Sequence, residues 1–152
     1  MKPARIAAVL TMIGFALLLA STVAAQLKSP DDVKTGLKLL VQISNDFKRQ
    51  ITAKNFARIP HEYTEYTQGA DALRAAIKDE PAAFKAKVET RLKPSVTAFQ
   101  KVSDMSANSP DPDKLMAEHG KAVTAMNAVF ELFPPDLRPD PNALPSRGVP
   151  KN

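Results

Sequence analysis

The chain has no cysteine and no tryptophan, and only five glycines and two histidines in 152 residues. Without thiols there can be no disulfide, no thiolate metal site, no cysteine nucleophile and no covalent haem attachment through C-x-x-C-H. With so few glycines, neither a phosphate-cradling loop nor a G-x-S-x-G nucleophile elbow can be assembled. Charge of one sign is also weak. The net charge is +5, evenly spread, which is too mild a field to argue for nucleic acid.

What is present begins with an address. Met1-Lys2-Pro3-Ala4-Arg5 is a short basic head, Ile6 to Ala20 is an apolar run, and Val23-Ala24-Ala25 supplies small residues where a signal peptidase cuts. Residues 1–25 are therefore expected to be a signal peptide, removed to leave Gln26 in the periplasm or outside the cell. The apolar run is short against the roughly 20 residues of a spanning helix, so no membrane span is expected after cleavage. Removing Lys2 and Arg5 lowers the net charge to +3.

Beyond Gln26 the pattern is helical. Ser29-Pro30-Asp31-Asp32 is a helix start, with a capping hydroxyl, a proline suited to the first turn and two acids at the positive end of the dipole. Val33, Leu37, Leu40, Ile43, Phe47 and Ile51 follow at spacings of three and four, one apolar stripe. Thr52 to Asn55 is the turn, with Asn55 available to cap a second helix carrying Phe56, Ile59, Tyr63, Tyr66, Ala70, Leu73 and Ile77. Pro60 leaves two starts open, near Asn55 with a kink or at Pro60 itself.

Asp79-Glu80-Pro81 caps a third helix, with Phe84, Val88, Leu92, Val96, Phe99 and Val102 in phase to about Ala107. The stripe runs through Pro94, so one kinked helix is expected there. Asn108-Ser109-Pro110 breaks the chain. Asp111-Pro112-Asp113 starts a fourth helix whose stripe is Leu115, His119, Ala122, Met126, Val129 and Phe133. Four such helices joined by short turns predict an all-α, antiparallel up-down-up-down four-helix bundle over residues 26–133. Residues 134–152 hold six of the thirteen prolines and read as an extended or disordered tail.

The chemistry rests on the two histidines. Helices two and four run the same way in such a bundle, so His61 and His119 share one end. His119 lies on an apolar stripe among Phe47 and Phe99, as a hydrogen-bonded boundary residue or as a ligand. His61-Glu62-Tyr63-Thr64-Glu65 departs from the H-E-x-x-H zinc motif because Glu65 replaces the second histidine. His61 and Glu65 sit one turn apart and could hold a divalent metal, with Glu118 and His119 as further donors. The E-x-x-H pairs of di-iron bundles are missing, since Arg58 and Met116 precede the histidines by three. Met105, Met116 and Met126 have core spacing. Tyr63 and Tyr66 should fill the core with their hydroxyls at its edge.

The capped first helix, the Lys54-Asn55 turn, the long third helix, the Asn108 to Asp113 turn and the ending Leu132-Phe133-Pro134 resemble the periplasmic four-helix cytochrome group, which includes cytochrome c′ and soluble haem b bundles. The chain is similar, too, to periplasmic bundles in which a His-Glu pair, here His61-Glu62, follows the first turn. The C-x-x-C-H of cytochrome c′ is missing from the last helix, and helix one has no methionine to match the haem b ligand. The resemblance implies electron transfer with a noncovalent haem on His119. Two other readings stand beside it: a non-enzymatic periplasmic bundle that binds a metal or partner at its histidine end, and a structural or chaperone-like envelope protein.

Overall fold

The computed structural model describes residues 27–108 and 110–140. The expected signal peptide with its cleavage site, Ser109 of the break, and the tail from residue 141 lie outside the described residues. Within them the protein is all-helical, with α1 Pro30–Thr52, α2 Ile59–Ala76, α3 Ala82–Ala107 and α4 Pro112–Phe130, and no strand. No helix among the described residues is long and apolar enough to cross a membrane.

Helix α1 buries more than its stripe. Leu37, Leu40, Val41, Ile43, Phe47 and Ile51 are sealed from solvent, and so are Gly36, Ser44, Asp46 and Gln50 on the flanks. The reason is geometric: α1 touches α2 and α4 and also the turn after α4, so an arc wider than one stripe is covered. Ser29 stands at the N-cap, but its hydroxyl makes no capping bond; its carbonyl accepts from Val33 N at 3.0 Å.

The exit from α1 is a Schellman turn. Lys54 N donates to Ile51 O and Asn55 N to Gln50 O, while Lys54 takes a positive φ of 55°. Asn55 caps no helix with its side chain; its Nδ2 donates to Gln50 Oε1 at 3.1 Å. A 3-10 turn over Phe56–Arg58 leads into α2. Pro60 therefore falls in the first turn of α2, where a missing N–H breaks no helical bond.

Helix α3 continues through Pro94 as one element. Its expected cap does something else. Pro81 occupies the N-cap without a side-chain bond, and buried Glu80 accepts from the backbone N–H of Lys28 at 2.6 Å. Helix α4 starts as its sequence reads, Asp111 Oδ1 accepting from Asp113 N and Lys114 N at 3.0 and 3.2 Å. It ends at Phe130, before the expected Phe133. The Arg138 guanidinium donates to Phe133 O and Glu131 O, satisfying carbonyls that the helix leaves open. Phe133 meets Phe84 edge to face at 5.6 Å.

The expected tail is thus packed in its first residues. Pro135–Leu137 forms a 3-10 turn against α1, with Leu137 buried. An apolar side chain followed by an arginine that can cap α4 outweighs the local excess of proline.

Helix ends meet in a consistent way. Gly36 near the start of α1 lies against Leu73 near the end of α2, and Gln50 near the end of α1 bonds Glu62 near the start of α2. Tyr66 and Arg74 of α2 meet Ser95 and Glu89 of α3 in reverse order. Ser44 of α1 bonds His119 of α4. The α1–α4 seam is the thinnest of the four lateral contacts. At the centre Phe99 packs in a tilted arrangement against Tyr66 at 4.0 Å and Phe47 at 5.0 Å. Tyr66 is buried entirely, so its hydroxyl bonds Ser95 at 2.6 Å instead of reaching an edge. Burial pushes its phenol pKa well above the usual value.

Candidate functional site

The densest set of unused chemistry lies where α1 ends and α2 begins. Asp46 and Gln50 are one turn apart on α1; His61, Glu62 and Glu65 occupy the first two turns of α2. Asp46 and Glu62 are 2% and 3% exposed, unusual burial for charged side chains. One carboxylate oxygen from each of Asp46, Glu62 and Glu65 lies within 4.8 Å of the others. Ligand bonds of about 2.0–2.6 Å place oxygens across a cation about that far apart.

The surroundings offset part of this negative charge. Arg49 Nη2 is 3.0 Å from Asp46 Oδ1, and Arg58 Nε is 3.7 Å from Glu62 Oε1. Gln50 Nε2 donates to Glu62 Oε1 at 3.1 Å. Burial raises the Glu62 pKa above the ordinary carboxyl value, with the Asp46 and Glu65 charges adding to it and the Gln50 bond opposing. His61 Nε2 sits 3.5 Å from Glu65 Oε1, the imidazole half exposed. The arrangement is three oxygen donors running from interior to rim, with one nitrogen donor at the rim.

Of the four residues expected to share a metal, the structure brings two together. His61 and Glu65 belong to this cluster. Glu118 does not, because Lys101 and Lys121 hold its carboxylate at 2.8 and 3.0 Å and keep its pKa below the usual range. His119 does not either. Its ring is 5% exposed, with Phe47 and Phe99 centred 6.4 and 5.9 Å away. Its Nε2 lies 2.9 Å from Ser44 O. A carbonyl only accepts, so Nε2 carries the hydrogen in the neutral ring. That nitrogen is committed to the backbone of α1.

Asp46 and Gln50 escaped the sequence reading, and Glu62 entered it only beside His61, not as a metal donor. A signal was there for Glu62: it lies three residues after Ile59 and four before Tyr66, so a charge stands in an apolar register. Tyr63, assigned to that stripe, is only partly buried. A groove of about 510 Å³ lies elsewhere, between the start of α1 and the end of α2, lined by Gly36, Leu39, Ala72 and Ala76 among others.

Family models, curated proteins and solved structures give no match to this chain.

Proposed function

We propose that this is an exported, non-enzymatic helical bundle that takes up a divalent cation where α1 meets α2. In this reading the signal peptide is removed after Ala25 and the four helices run up-down-up-down. The likeness to cytochrome c′-type proteins then extends to helix arrangement only. The observation that carries the cation reading is the convergence of Asp46, Glu62 and Glu65 within 4.8 Å, with His61 on Glu65. Asp46 and Glu62 would supply interior oxygens, Glu65 the bridging oxygen, and His61 a nitrogen for a borderline metal such as zinc or copper. Binding displaces Arg49 and Arg58 from the carboxylates and needs Glu62 ionised, which its raised pKa opposes. Affinity should therefore rise with pH above the ordinary carboxyl range.

Calorimetric titration of the metal-free protein with manganese, zinc and copper tests this. The wild type should bind at one site, at least about tenfold tighter than a Glu62→Gln/Glu65→Gln variant, a loss of about 1.4 kcal/mol or more. Equal affinities in the two proteins would remove the reading. A folded wild type that binds none of these ions would leave partner binding as the role of the bundle.

A further inference from the structure

His119 occupies a place that the cation reading does not use. It reaches from α4 across the thinnest seam of the molecule, and its Nε2–H donates to the carbonyl of Ser44 on α1, with the Ser44 hydroxyl 3.2 Å from the same nitrogen. Phe47 of α1 lies stacked beside the ring and Phe99 of α3 meets it edge on. Behind Phe99, α2 contributes Tyr66, tied to Ser95. The slot is apolar on two sides and accepts one hydrogen bond.

The charges around it are of the wrong sign or already engaged. From α1 the ring feels Lys48, a like charge once the ring is protonated. On α4 itself Glu118 is turned to Lys101 of α3 and to Lys121. On α1 Asp46 is paired with Arg49. A protonated ring would gain an N–H on Nδ1 and a buried positive charge with no counter-ion in its slot.

We infer that His119 is an acid-released clasp between α4 and α1: on taking up a proton the ring leaves its slot, and this seam opens while the other three hold. Burial, with Lys48 adding to it, holds the imidazole pKa below 6.5 in the folded chain against the opposing bond to Ser44. The unfolded or opened chain binds the proton more tightly, so stability is full above pH 6.5 and is lost as pH falls from there toward the folded value. The ionised carboxylates act in a separate window. Glu89 and Glu118, held low chiefly by Arg74 and Lys101, keep their contribution until pH drops below 4.5. Glu62, whose pKa is raised, relieves rather than adds strain as it takes a proton.

Hydrogen exchange of the purified protein between pH 7 and pH 5, expressed as protection factors, reads the clasp directly. Amides around Ser44 and His119 should lose protection several-fold at pH 5, while amides around Leu73 and Leu92 hold theirs. His119→Gln keeps an amide donor for Ser44 O but cannot charge, so its protection should be the same at both pH values. Equal loss in the variant, or no loss in the wild type, overturns the inference. Should the variant not fold, the imidazole resonances of the wild type decide: a His119 ring that protonates at pH 6.5 or above overturns it.

Discussion

Lys54 holds a left-handed backbone that glycine adopts freely and other residues at a cost of about 1–2 kcal/mol. It does so because the Schellman turn needs that geometry to satisfy the last carbonyls of α1. Lys54→Gly should therefore stabilise the protein by about 1 kcal/mol, seen as a higher urea midpoint with an unchanged slope. A lower midpoint would show that the lysine side chain contributes more than its backbone costs. The same scale explains why the carboxylate cluster was hard to foresee. Its members are identified by burial, and burial of Asp46 depends on where α2 lies, which no local pattern around Asp46 encodes.

Two glycines show what the helices ask of their neighbours. A Cβ on Gly36 would stand 3.3 Å from the Cα of Leu73, a tight contact with backbone that must give by a few tenths of an ångström to admit it. A Cβ on Gly120 of α4 would meet nothing within 4 Å. Gly36→Ala should cost about 1–3 kcal/mol by forcing the helices apart, and Gly120→Ala should add about 1 kcal/mol through helix propensity. Thermal melts of the pair check both signs at once. Helix existence was legible for reasons of this local kind. Pro30, Pro60, Pro81 and Pro112 mark four starts, and Asp111 caps as its position suggests. The end of α4 was not legible, because the side chain that closes it, Arg138, arrives from beyond the prolines that read as a stop.

At the scale of the whole molecule the packed unit extends past α4 by two buried side chains, Phe133 and Leu137. Leu137→Ala should lower stability by roughly 2 kcal/mol, while a substitution at neighbouring exposed Asp136 should change it by less than about 0.5 kcal/mol. Chemical denaturation of both variants distinguishes a packed strap from an idle tail. This part of the architecture was misjudged from sequence because proline content describes the local chain and Leu137 acts at long range. The two histidines part company for a related reason. The bundle reading set them at one end; there His61 pairs with Glu65 of its own helix, while His119 reaches the backbone carbonyl of Ser44 on α1.

The bond between Ser44 and His119 joins residues 75 apart in the chain. Ribosomes deliver the N-terminal part first, at about 5–20 residues per second. For about 4–15 seconds after Ser44 emerges, the strip of α1 that α4 covers waits for its partner, while α2 is already at hand for the rest. The clasp between α1 and α4 is therefore one of the last contacts the growing chain can make.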